Sequence, residues 1–233
     1  MTGIRSETPT LTDLINESID AKLYETNTSM PGIVVAYNPA TNTADIQPAF
    51  TRKYITNPIP LPLPIIPNVP VALPRANQAF ISFPIKPGDG VLLIFSQRSL
   101  DFWKAQGGVI PLPPFDSRKH NLTDAVAILG LYSATRPIPI DPVNMVIGYG
   151  GSRISLGLSG QMTIQAGAGM ISVNPAGQFS IGNGVINLLK LFDELIDELL
   201  LATWATNTGS TSAPPINQGK FIALKAKLAT ILG

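Results

Sequence analysis

The sequence predicts a mainly β protein that ends in helices, and three observations carry this prediction. Short β-branched and aromatic runs, bounded by turn residues, begin at Met30. From Ile154 to Leu189 no residue is charged, and apolar side chains alternate with Ser, Thr, Gly, Gln and Asn. Beyond Val185 the apolar period lengthens from two to three and four. Charged residues make up only 13% of the 233, about half the usual share. A lone monomer of this composition has little polar surface to spare, which favours an oligomer.

Residues 1–28 form an arm. Leu11, Leu14, Ile15, Ile19 and Leu23 recur at helical spacing behind Pro9 and Thr10, so a short amphipathic helix is expected. It packs either on its own domain or on a neighbouring subunit. The first ten residues hold no apolar run of the signal-peptide kind. Tyr54 to Pro74 is uncharged, but its seven prolines exclude a spanning helix.

Residues 29–133 read as a compact antiparallel unit. "GIVVAY", "TADIQPAF", "QAFISFP" and "GVLLIFS" are strands, separated by Asn-Pro, Thr-Asn and Pro-Gly-Asp-Gly turns. A small barrel or sandwich is the expected architecture, with Phe80, Phe83 and Phe95 spaced as core residues. The proline-rich run reads as an extended edge or loop.

Residues 134–184 contain a linker and the charge-free strands. Ile154, Leu156 and Leu158, then Met162 and Ile164, then Ile171 and Val173, then Phe179 and Ile181 share one face by period two. One copy cannot bury that face, which points to a β-solenoid or an intertwined fibre. In residues 185–233, Leu188, Phe192, Leu195 and Leu199 make a heptad seam, widened by Leu189 and Ile196. After a loop, Phe221, Leu224 and Leu228 make a second. Asp193, Glu194, Asp197 and Glu198 flank the first, and Lys220, Lys225 and Lys227 the second, so a charge-complementary helical hairpin is expected, within a chain or between chains, with the two seams as trimer or tip contacts.

The densest chemistry is "DSRKHNLTDA", Asp116 to Ala125, which holds the only histidine. A metal site needs several convergent ligands, and His120 has no second histidine to join it. The nearest elbow-like string, Gly157 to Gln161, departs from GxSxG at its last position. The glycine strings match no phosphate loop. No catalytic residue, metal or cofactor is therefore expected. His120 reads as a domain-edge residue bonded to Asp116, Asp124 or backbone.

Three strings in residues 29–133 resemble one family: Met30 to Phe50, Leu63 to Trp103, and Asp116 to Leu131. They are similar to the N-terminal OB-fold domain of the central, membrane-piercing spike proteins of contractile-tail phage baseplates. The most specific pieces are Ser99-Leu-Asp-Phe-Trp103, Arg118-Lys-His120 and Asp124-Ala125. The resemblance implies that Asp101, Trp103, Arg118, His120 and Asp124 are a structural signature. It further implies an OB-fold barrel followed by a short trimeric intertwined β-helix, with the helical hairpin as a C-terminal bundle or cap. The implied protein is a virion component, a homotrimer under the tail tube. Its implied partners are a tube or baseplate hub protein, a separate tip protein and, transiently, the host outer membrane. Some relatives insert a lysozyme domain, for which residues 134–153 are too few. Others end in an iron-binding His-x-His apex, and no histidine follows His120.

The rival readings are a single-strand nucleic-acid binder and a cell-wall hydrolase. Residues 29–131 hold a surplus of three basic residues, and no basic stripe surrounds the phenylalanines. No nucleic-acid partner is expected.

Overall fold

The structure, a computed structural model, describes residues 9–54, 57–107, 110–201, 204–206, 209–211 and 218–231. The chain forms two compact units, Met1–Pro137 and Ile138–Gly233.

In the first unit, α1 (Leu11–Glu25) precedes strands β1 (Ser29–Asn38), β2 (Thr43–Pro48), β3 (Thr51–Tyr54), β4 (Asn57–Pro62), β5 (Ile66–Ala72), β6 (Arg75–Ala76), β7 (Ala79–Phe80) and β8 (Gly90–Phe95). Helix α2 (Asp101–Gln106) and strand β9 (Ala125–Leu129) complete it. Five strands close a barrel in the order β1-β2-β5-β9-β8. All its pairings are antiparallel except β5 with β9. The alternation read from the sequence fills it: Ala44 and Ile46 from β2, Val91, Leu93 and Phe95 from β8, and Val69 from β5 are buried. Glycine is needed at position 32, where a Cβ would lie 2.7 Å from Ile46 Cγ2.

Two details of the barrel differ from expectation. The proline-rich run is not one loop: it supplies β4, which pairs with β3, and the barrel strand β5. Pro70 sits opposite Thr43, and the Val71 amide donates to Asn42 O at 3.0 Å, so ladder bonding resumes one residue past the proline. "QAFISFP" yields only the two-residue β7, paired with β6. Phe80 and Phe83 are 69% and 53% exposed and are not core residues; Phe95 is.

Helix α1 begins with a capping box. The Asp13 amide donates to Thr10 Oγ1, and the Thr10 amide to Asp13 Oδ2 at 2.9 Å. The Thr10 side-chain and backbone donors hold the Asp13 carboxyl below its ordinary pKa. Its apolar residues are all exposed, so α1 does not bury its stripe on its own domain.

The second unit is a five-stranded antiparallel meander followed by two helices. Its strands are β10 (Met145–Tyr149), β11 (Ser152–Leu156), β12 (Met162–Ala166), β13 (Gly169–Val173) and β14 (Phe179–Gly182), adjacent in that order. The chain does not coil as a solenoid, because the links are short. Gly150-Gly151 and Gly167-Ala168 join their strands directly, and Gly157–Gln161 and Asn174–Gln178 make longer turns. Links this short permit only antiparallel neighbours. Helix α3 (Leu188–Leu201), the hairpin β15 (Trp204–Thr206) with β16 (Gly209–Thr211), and helix α4 (Gln218–Ile231) follow. The first part of the expected inter-helix loop is thus a two-stranded hairpin.

The helices pack together along the edge that widens the α3 seam rather than along its centre. Ile196 of α3 is buried, and Leu189, Asp193 and Leu200 beside it are half-buried. On α4 the half-buried stripe is Phe221, Lys225 and Leu228, with Leu224 outside it. Lys225 donates to both carboxylate oxygens of Asp197 and lies 4.0 Å from Asp193. The Asp197 hydrogen bond, with both aspartate charges, raises the Lys225 pKa despite partial burial.

Gly90 sets the end of the β8–β9 ladder. A Cβ there would lie 2.0 Å from the Leu131 carbonyl oxygen, so Gly90→Ala forces backbone apart. The expected loss is about 1–3 kcal/mol, the ordinary cost of overpacking, read as a lower urea midpoint for barrel unfolding.

Candidate functional site

The charged string at Asp116–Ala125 folds into a clamp around one arginine. Arg118 lies in the segment between α2 and β9. Its Nε donates to Asp116 Oδ1 at 3.1 Å, and its Nη2 to Ser99 Oγ at 2.8 Å and to Asp101 Oδ2. The Arg118 amide also donates to Asp116 Oδ1. Asp124 is fully buried. Its Oδ1 accepts from the Leu100 amide at 2.9 Å. Its Oδ2 has no hydrogen bond but lies 3.6 Å from Arg118 Nε. Burial works against the guanidinium charge, yet the Asp101 bond and the three carboxylate charges outweigh it and raise the Arg118 pKa.

The clamp joins elements distant in sequence. The Ser96 amide at the end of β8 donates to Asp124 O, and Lys104 Nζ of α2 donates to Thr123 O. Both α2 and the Asp116–Asp124 segment are thereby tied to the barrel wall. A guanidinium accepts no proton, and the Asp124 carboxylate is closed to solvent. This arrangement holds structure. Among the described residues no His, Cys, Asp and Glu group has the geometry of a metal site.

Four of the five signature positions meet at or border this clamp; Trp103 does not, being exposed on α2. His120 borders it through its backbone. Its amide donates to Ser96 O at 3.1 Å, and its carbonyl accepts from Asn27 Nδ2 at 2.9 Å. Its φ of 49° is left-handed. The imidazole does not bond Asp116 or Asp124, and its buried Nδ1 has no partner, so of the expected bonds only those to backbone are made. Ser99 was legible only as part of a string, and its role as an Arg118 acceptor depends on the fold.

The other candidate surface is the apolar face of the β10–β14 sheet. Register aligns one row of five isoleucines across all the strands: Ile147, Ile154, Ile164, Ile171 and Ile181. The next row is Met145, Leu156, Met162, Val173 and Phe179. On the reverse face, Ser155, Thr163, Ser172 and Ser180 make a hydroxyl row. From Ile154 to Ile181 the residues of both apolar rows are 39–45% exposed, except half-buried Val173. Every predicted face residue lies on this one surface except Leu158, which is 91% exposed in the β11–β12 turn. Met145 and Ile147 were missed, because β10 lies in the segment read as linker.

The register also exposes a 17-residue repeat. Ile154-Ser-Leu-Gly-Leu-Ser-Gly-Gln-Met-Thr-Ile164 aligns with Ile171-Ser-Val-Asn-Pro-Ala-Gly-Gln-Phe-Ser-Ile181. Both turns close alike. The Gly157 amide donates to Gln161 O, and the Asn174 amide to Gln178 O. Leu158 corresponds to Pro175, a turn position in both copies.

Residues 30–130 match the family described as Phage protein Gp138 N-terminal domain. That span holds the five barrel strands and the arginine clamp, and over it the chain is similar to a phage protein domain. No curated protein matches the chain.

The clamp predicts an ordered substitution series. Asp124→Ala leaves the Leu100 amide buried without an acceptor, at a cost of about 1–3 kcal/mol. Asp124→Asn keeps an acceptor and lowers the melting temperature less. Arg118→Lys behaves like a loss, since one ammonium cannot reproduce a fork that reaches Asp116, Ser99 and Asp101. Thermal melts of the three variants check the order.

Proposed function

We propose that this chain is a structural component of a phage tail baseplate. In this reading it is a homotrimeric central spike under the tail tube that helps puncture the host envelope when the sheath contracts. The barrel is an OB-fold collar that meets a tube or hub protein. Its closed order β1-β2-β5-β9-β8, with β5 and β9 parallel, supports that assignment, as does the similarity of residues 30–130 to a phage protein domain. The work is mechanical, and no catalytic residue or cofactor is assigned.

The observation that carries the reading is the open apolar face of the β10–β14 sheet. Two rows of large apolar side chains stand on one side of a single layer, and most remain about 40% exposed. A one-layer sheet is stable only when that side meets another layer. Three copies around an axis, apolar faces inward, supply the missing layers and place the hydroxyl rows outside. The outer surface then carries mainly Ser, Thr and Gln, with Val146 and Met170 its large apolar residues and Arg153 its only strand charge, which lowers the cost of entering an outer membrane.

Light scattering should give about 74 kDa, three times the chain mass of 24.7 kDa; a stable monomer sinks the reading. Ile164→Asp places three carboxylates in the core without partners, so the trimer should fail to assemble. Gln165→Asp lies on the reverse face beside Arg153, whose Nε donates to Gln165 Oε1 at 3.0 Å, and should assemble normally. Phage carrying Ile164→Asp should lose plaque formation, and those carrying Gln165→Asp should keep it. Equal behaviour of the two variants refutes the assigned face.

A further inference from the structure

Helix α3 has two apolar stripes, and α4 covers only one. At 3.6 residues per turn, Leu189, Ile196 and Leu200 lie roughly 100° around the helix from Leu188, Phe192, Leu195 and Leu199. The first stripe packs against α4 and includes buried Ile196. In the second, Leu188 is half-buried, but Phe192 is 37% exposed, Leu195 54% and Leu199 41%. Its 4-3-4 spacing is that of a coiled-coil seam.

We infer that the occupant of this second stripe is the same stripe of two further copies of this chain, giving a bundle with three α3 helices inside and three α4 helices outside. The inference rests on the trimer proposed above and adds a second, separate assembly element to it. Charge selects this occupant. Helix α3 carries Asp193, Glu194, Asp197 and Glu198 against one lysine, Lys190. Three such helices side by side repel unless the charge is cancelled. Helix α4 carries Lys220, Lys225 and Lys227 and no acidic residue, which balances that excess within each chain; Lys225 lies 2.8 Å from Asp197 and 4.0 Å from Asp193. Lys190 lies 3.9 Å from Glu194. The open stripe itself contains no charged residue. An acidic or basic partner protein would find no complementary charge on it, whereas an identical uncharged stripe fits. Helix α3 also packs against β14, the strand that carries Phe179 and Ile181 of the open sheet face. The two uncovered apolar surfaces therefore belong to adjoining elements.

The chain has no cysteine, so a single introduced thiol reports proximity without background. In the full-length protein, Leu195→Cys treated with a short bis-maleimide should give a covalent dimer band. That band should hold about two-thirds of the chains, because a two-ended linker joins two of three equivalent thiols. Lys190→Cys, on the far side of α3, should stay near background. A protein that has trimer mass but yields no Leu195→Cys dimer overturns the helical bundle and leaves the trimeric spike intact. The same holds if both positions cross-link equally. Monomer mass for the unsubstituted chain overturns both.

Discussion

A single β layer cannot cover both of its faces, and residues 145–182 are such a layer. Period-two alternation sends the large apolar side chains of β10–β14 to the same side, Val146 and Met170 excepted. Antiparallel register then aligns them into an isoleucine row and a mixed aliphatic and aromatic row. Apolar area left in water forfeits roughly 25 cal/mol per Å² of stabilisation, and here nearly all the large side chains forfeit part of it. Charge, which normally keeps an open face soluble, is absent from Ile154 to Leu189. A second layer from outside this chain's own sheet relieves that cost. The proposed trimer follows from that constraint more directly than from any single contact.

The barrel solves the opposite problem. It closes on itself, buries its own core, and has one buried carboxylate to accommodate. A buried carboxylate is costly unless it is paired and hydrogen-bonded. Asp124 has the Leu100 amide on one oxygen and the Arg118 charge near the other. Arg118 in turn needs Asp116, Asp101 and Ser99 to hold its fork. A string that looks catalytic by composition is thus used to fix α2 and a loop to the barrel. Its one histidine serves through backbone bonds at a left-handed residue.

Much of this was legible in the residues. Alternation in "TADIQP" and "GVLLIF" marked barrel strands because the barrel interior is a single apolar space. Alternation from Ile154 to Ile181 marked one sheet face for the same geometric reason. The failures have physical causes. Leu158 continued the alternation on paper, but it falls in a turn closed by Gly157 and Gln161, and period two ends where pairing ends. Its alignment with Pro175 was visible in the sequence and would have excluded it. Phe80 and Phe83 had strand spacing, yet the chain there pairs over only two residues, and spacing carries no information about whether a partner strand exists. The role of Arg118 as a hub was not readable at all, because Ser99 and Asp101 reach it only through the fold.

The helical end follows from a weakness of the sheet. Rows of near-identical side chains specify poorly which row of one copy faces which row of another, since a shift by two residues replaces isoleucine with methionine, leucine or phenylalanine of similar size. The 17-residue repeat worsens this, because its two hairpins present nearly the same surface. Closure by the sheet alone therefore leaves register weakly determined. A helix with two stripes supplies what the sheet lacks. One stripe is locked to α4 through Ile196 and the Lys225 ion pairs, so the orientation of the other is fixed relative to its own chain. Knobs on that second stripe fit only into holes at matching heptad positions. In the proposed assembly, the sheet contributes most of the buried area and α3 decides its alignment. That division of labour explains why a charge-free β segment is followed at once by a helix rich in paired charges.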